Sequence, residues 1–275
     1  MTFVTKFDGR KENFQKQKVF ETSLRMGLSK EDAKEVADKI ESKVYDGIQT
    51  KKILQMIFDF AKEYKPEIRQ RIDLRQAISL LRSKPDFETF VTLLLKEEGY
   101  SVVHNQIISG NCVNHEIDDV AKKGNETIYA EVKHHIQYHT FTGVGVFLEV
   151  QATFEDLVEG FENKKNKYNF SKALVILNTK LSEHARVYAK CRDIDFIAWK
   201  DPIDNGLEKR IEEYKFYPIT LLKNIDSKTE AQLGDAGIVL LKQLVKMNPK
   251  EISKMTKISA NRISDLANKA RKLLS

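Results

Sequence analysis

The chain is poor in cysteine and has no long apolar stretch. Its 275 residues hold two cysteines, Cys112 and Cys191, at no metal-ligand spacing. That excludes a disulfide framework and a cysteine-rich zinc site, and fits free thiols in a reducing compartment. No run approaches the roughly 18 apolar residues of a membrane helix, so no membrane span is expected. The opening Met-Thr-Phe-Val-Thr-Lys lacks the apolar core of a signal peptide. A G-x-x-x-x-G-K-[ST] loop is also missing, which argues against nucleotide hydrolysis of the P-loop kind. A cytoplasmic, multidomain globular protein with no membrane partner is expected.

Charge is plentiful and unevenly placed. The net charge is +6, and from Tyr217 onward eleven basic residues face five acidic ones, which accounts for the whole excess. Such a tail attracts a polyanion.

The chemistry-bearing stretch is 113–133. Val113 to Ala121 and Glu126 to Lys133 read as two strands, joined by the polar turn Lys122 to Asn125, with Gly124 where positive φ is expected. Glu131 and Lys133 are two apart and share a face, whereas Val132 points away. Asp118 lies late on the first strand, and its neighbour Asp119 faces the other side. A carboxylate facing a carboxylate and a lysine suits a divalent cation beside a phosphate. The alternative is an alternating, solvated strand face.

Glu116-Ile117-Asp118 followed by Glu131-Val132-Lys133 resembles the PD-(D/E)XK nucleases, in particular their Mrr-like restriction endonuclease branch. Asp86 to Phe90, Glu98-Gly99-Tyr100, Ala173 to Thr179 and the helix carrying Ala185 and Ala189 extend the resemblance. It implies Asp118 and Glu131 as ligands of Mg²⁺ (or Mn²⁺) and Lys133 beside the attacking water. Glu88, on the preceding helix, is a further acidic candidate. The usual proline-aspartate pair is absent. His115, His134, His135 and His139 fit no structural zinc pattern; they read as phosphate contacts, exposed residues or, for His115, support to Asp118.

In residues 1–83 two short strands around Asp8-Gly9 precede four helical patterns: about 15–26, 29–44, from Thr50, and 66–81. Ser29 is the expected cap of the second. Val4 to Gly9, Glu12, Phe14 to Lys18 and Tyr45 to Thr50 resemble an ATP-cone, a regulatory nucleotide-binding domain. The resemblance implies that Lys6 and Lys18 contact phosphates of ATP or dATP, with Glu12 and Thr50 fixing the nucleoside end. Phe7 stands where that family carries arginine, and Arg10 and Lys11 are candidate substitutes. The plain alternative is a lysine-solubilised helical bundle.

Residues 84–200 read as a mixed α/β core: a helix 87–97 capped by Asp86, a strand from Tyr100, the hairpin, a long helix 146–163, a buried strand 173–177, a helix 181–189 capped by Ser182, and a strand 194–199. Residues 201–216 form a linker helix. Residues 217–275 form an all-α tail resembling tandem helix-hairpin-helix elements, which implies sequence-independent DNA phosphate contacts. The first hairpin lacks the expected glycine pair, and a protein-binding helical module is the alternative. The expected fold is therefore a helical cone with a small hairpin, a mixed-sheet restriction-endonuclease-like core and a helical tail. The expected function is a metal-dependent DNA endonuclease, most simply a homodimer, regulated by ATP or dATP. An inactive nucleotide-responsive DNA-binding regulator and an interaction scaffold are the rivals.

Overall fold

A computed structural model describes residues 2–275, the side chains of Arg69 and Gln70 excepted. The chain parts into two compact units, one running to Ile72 and taking in Arg271–Leu273 and Ser275, the other Asp73–Ala270 with Leu274.

In the first unit, β1 (Phe3–Thr5) pairs antiparallel with β2 (Lys11–Asn13), as the Asp8-Gly9 turn leads one to expect. A short β3 (Ile48–Gln49), not anticipated, adds to β1 in parallel. Helices α1 (Lys16–Arg25), α2 (Lys30–Glu41) and α3 (Thr50–Tyr64) follow their apolar periodicity and bury Val19, Val36, Ile40, Ile53 and Ile57 together. Ser29 caps α2, its hydroxyl accepting from the Asp32 amide at 3.1 Å. The fourth expected helix is two pieces. A 3₁₀ turn, Pro66–Gln70, gives way to extended backbone at Arg71, and α4 (Leu74–Leu80) starts afresh under Asp73. The Asp73 carboxylate accepts the Gln76 amide at 3.1 Å, so a local cap competes successfully with a continuous helix. Helix α4 therefore goes with the second unit, which begins ahead of the boundary read from sequence at Ser83-Lys84.

The second unit is built on a five-stranded mixed sheet. After α5 (Glu88–Glu97) come β4 (Ser101–Ser109), β5 (Asn114–Lys123) and β6 (Glu126–Lys133), an antiparallel meander with Gly124 at φ +59° in the turn. A short β7 (Phe141–Thr142) leads to α6 (Gly145–Glu162), which crosses back so that β8 (Lys172–Leu177) lies parallel to β6. After β9 (Lys180–Leu181), α7 (Glu183–Cys191) returns the chain to β10 (Asp195–Ile197), parallel to β8. The strand order is β10-β8-β6-β5-β4. Val120 of β5 packs with Phe147 and Val150 of α6, whereas its neighbour Asp119 is hydrogen-bonded to Thr92 of α5. Adjacent strand residues point oppositely, so helices cover both faces, as expected.

The tail is α8 (Leu207–Glu213), a 3₁₀ turn at Ile219–Leu221, then α9 (Ser227–Asp235), α10 (Leu241–Lys246), α11 (Pro249–Thr256) and α12 (Ala260–Leu274). As far as Ala270 it is not a separate unit but packs with the sheet domain. Thr220 donates to the Ala77 carbonyl at 2.7 Å, and Lys242 pairs with Glu97 at 2.8 Å. Arg82 bridges Asp86 (2.6 Å) and Asp235 of α9 (2.9 Å). Asp86 is thus not the cap of α5: a fully buried carboxylate next to a guanidinium gains more from the charge-assisted pair than from helix amides. Gly234 permits this approach, since a Cβ there would stand 2.1 Å from Asp86 Oδ1. No helix among the described residues is long and apolar enough to cross a membrane.

Candidate functional site

The hairpin brings Asp118, Glu131 and Lys133 together. The β5–β6 register pairs Asp119 with Ala130, which sets Asp118 opposite Glu131 on one face. Asp118 Oδ2 accepts the Val132 amide at 2.8 Å, which fixes the carboxylate between the strands. Glu131 is held from both sides: Lys133 Nζ lies 2.8 Å from Oε1, and the Tyr129 hydroxyl donates to Oε2 at 2.8 Å. On the other side of Asp118 the β4–β5 ladder is interrupted at Asn105, where φ is +51°, and resumes at Gln106.

The electrostatics show a site short of positive charge. Burial, then the charge of Glu131, push the Asp118 carboxyl up to about 6. Burial and Glu131 also push the Tyr129 phenol up, so it stays a donor. Burial pulls Lys133 down, but its hydrogen bond to Glu131 and the charges of Glu131, Glu149 and Asp118 outweigh this and hold it above its ordinary value. Lys133 is a cation here and not a base.

Lys84 joins these groups. Its Nζ lies 2.9 Å from Glu116 Oε1, 3.2 Å from Glu88 Oε1 and 3.8 Å from Asp118 Oδ1. Glu88 is therefore at the rim of the site, with burial raising its carboxyl against the pull of Lys84. Nothing in the sequence singled out Lys84, which reads as a boundary residue before Pro85. Tyr129 was equally hidden as one more apolar strand position; its place two residues before Glu131 was the available signal.

Other expectations resolve differently. Asp119, the rival of Asp118, is fully buried and bound by Thr92 (2.8 Å) and His104 (3.0 Å). His115 supports Asp156 of α6 (2.7 Å), not Asp118. His134 lies against Ser83 and the Ile78 carbonyl, and His135 against Thr142. Burial lowers the affinity of both rings for a proton. Among the described residues, no three or more His, Cys, Asp or Glu side chains are arranged to hold a metal. Two carboxylates that repel each other do fit a Mg²⁺ ion, which takes one or two carboxylates and completes its shell with water and substrate phosphate.

In the first unit a cleft of about 220 Å³ is lined by Lys6, Glu12, Lys18 and Thr50, with Val4, Phe14, Ile53 and Ile57 beneath. Glu12 lies 3.0 Å from Lys6 and 3.5 Å from Lys18, and its carboxyl is held below the ordinary range, chiefly by Lys6. Arg10 pairs with Asp8 at 2.6 Å, and Lys11 is exposed on β2; neither lines the cleft.

The fold and the hairpin carboxylates define a restriction-endonuclease-like domain, and residues 81–204 match the family model described as restriction endonuclease, the Mrr catalytic domain. Residues 217–274 match the model described as AF1548-like, C-terminal. An uncharacterized protein of Archaeoglobus fulgidus is 32% identical over 181 residues, spanning 66% of this chain and 98% of that protein. The crystal structure of AF1548, described as a protein of unknown function, aligns with a TM-score of 0.60 at 30% identity, over 68% of this chain and 96% of that one. This chain belongs to the AF1548-like family of proteins with a restriction-endonuclease domain. Neither family model covers residues before 81.

Proposed function

We propose that the protein is a divalent-metal-dependent DNA endonuclease governed by ATP or dATP bound to its first unit. The observation that carries the nuclease reading is the pairing of Asp118 with Glu131 beside a protonated Lys133, in a domain of the restriction endonuclease family. A Mg²⁺ or Mn²⁺ ion held by Asp118 and Glu131 would supply polarisation of a phosphoryl oxygen and acidify its bound water. The Val132 amide fixes Asp118, and Tyr129 and Lys133 fix Glu131, where the two carboxylates would hold the ion. Lys133, being charged, orients the attacking water and steadies charge that develops on the phosphate. The water attacks phosphorus in line with the P–O bond that breaks.

The first unit is read as an ATP-cone. Its cleft gathers Lys6, Lys18, Glu12 and Thr50 over an apolar floor, which suits a triphosphate at one end and a nucleoside at the other. The helix pairs α9–α10 and α11–α12 are read as helix-hairpin-helix elements holding DNA phosphates, with binding that weakens as salt rises. Part of the basic excess is spent internally, on Glu97 by Lys242 and on Asp226 by Arg262.

The test is nicking of supercoiled plasmid in Mg²⁺ or Mn²⁺, wild type beside Asp118→Ala, with and without ATP. Metal-dependent nicking lost in the variant is the expected result. Equal nicking by both proteins sinks the assignment of the site, and an unchanged rate with ATP sinks the regulatory part.

A further inference from the structure

Two residues beyond Lys133 the chain holds an uncharged ring in a fixed place. The β6–β8 ladder ends where Lys133 pairs with Leu177. From there the buried side chain of Asn178 takes over from main chain. Its Oδ1 accepts from the His135 amide and its Nδ2 donates to the His135 carbonyl, both at 2.8 Å. These bonds carry the line of β6 two residues past its end, and the alternation of side chains continues with it. His134 turns to Phe87, the ring centroids 4.8 Å apart, and to the Ile78 carbonyl. His135 therefore turns the other way, to the side of Glu131 and Lys133. Residues two apart in an extended chain stand about 7 Å apart. Burial, then the charge of Lys133, hold the His135 ring below its ordinary value, so it is neutral at pH 7.

The location of the ring proton follows from two threonines. His135 Nε2 lies 3.2 Å from Thr142 Oγ1, which lies 2.6 Å from Thr179 Oγ1. Both threonines are buried, and among the described residues neither hydroxyl has another partner. A buried hydroxyl proton left without an acceptor is costly. Both protons are satisfied only when Thr179 donates to Thr142 and Thr142 donates to Nε2. Nε2 is then an acceptor, and the ring proton stands on Nδ1. Nδ1 has no partner among the described residues and is not buried.

We infer that His135 is a further catalytic residue of the proposed reaction, presenting Nδ1–H to a non-bridging oxygen of the phosphate beside Lys133. A donor held in place before the reaction gains strength as negative charge builds on the phosphate in the transition state. An uncharged donor also avoids the repulsion that a second cation would meet next to Lys133. No proton is transferred by this residue. The water oxygen bonds to phosphorus as the P–O bond breaks, and His135 keeps its proton throughout.

The inference rests on the nuclease reading above, and the experiment separates the two. Plasmid nicking by the full chain is measured at saturating Mg²⁺ for wild type, H135A and H135N. Mn²⁺ bound to each protein is counted by electron paramagnetic resonance without DNA. Asparagine places an amide donor close to where Nδ1 stood, whereas alanine offers none. The expected result is a kcat about 10²-fold lower in H135A, with an unchanged KM for DNA and unchanged Mn²⁺ binding. H135N should recover about tenfold of that loss. Metal-dependent nicking by wild type that H135A retains within about threefold overturns the role of His135 and leaves the nuclease reading standing. So does a loss in H135N as deep as that in H135A, or a loss of Mn²⁺ binding in either variant, which would make the residue structural. No metal-dependent nicking by wild type overturns both readings.

Discussion

The hairpin site of the sheet domain and the cleft of the first unit are electrostatic opposites. At the hairpin, carboxylates outnumber lysines, and the Asp118 carboxyl is pushed up to about 6. In the cleft, Lys6 and Lys18 converge on the single carboxylate of Glu12, which is held below its ordinary range. The first site lacks positive charge and the second has a surplus. The proposed cation would relieve the one and the proposed polyphosphate the other. The same residue types, Glu and Lys, produce both because their ratio and burial differ: the hairpin carboxylates are sunk in a sheet, and the cleft residues lie on a small, partly open surface.

That contrast can be tested from both poles. The largest effect is expected from Lys133→Met, which deepens the deficit at the hairpin and removes a donor near the phosphate. Plasmid nicking should fall by about 10²- to 10³-fold at saturating Mg²⁺; a loss under about threefold would mean Lys133 is not part of the reaction. Next comes Asp118→Asn, measured without metal. The folded carboxyl titrates at about 6 and the unfolded one near 3.8, so stability falls as pH rises between those values and stays lower above them. Asparagine does not ionise and can still accept from the Val132 amide. In EDTA at about pH 8 the variant should be more stable by about 1–3 kcal/mol in chemical denaturation. The gain should vanish once the pH is below the unfolded value, and destabilisation of the variant in alkaline buffer would contradict a charge-starved site. The smallest effect is expected at the other pole. Lys6→Met removes one of two ammonium groups from an exposed cleft, so ATP binding by calorimetry should weaken about tenfold. An unchanged affinity would remove the phosphate role of Lys6.

Much of the site was legible from local pattern. Two strands, a glycine turn and the i, i+2 rule suffice to put Asp118 across from Glu131 with Lys133 on the same side, because hairpin register is a short-range property. The sequence was less informative wherever a distant partner decided. Asp86 has the pattern of a helix cap, yet Arg82 and a glycine in α9 claim it. His115 stands beside Glu116 and three residues before Asp118, which suggests support for the acidic pair, but the approach of α6 gives it Asp156 as partner instead. The helix expected over 66–81 breaks at Asp73, since capping chemistry there outcompetes an apolar stripe that was continuous on paper.

The order of strands and helices, the hairpin and the identity of its acidic pair thus follow from the amino-acid sequence, because periodicity and turn chemistry act between near neighbours. Two features come from long-range packing instead: the basic tail as far as Ala270 is packed with the sheet domain, and Lys84 closes on carboxylates from both α5 and β5. Those contacts join residues as far apart as Ala77 and Thr220. Such partners are chosen by the fit of whole elements and by the cost of burying unpaired charge, neither of which a local pattern encodes.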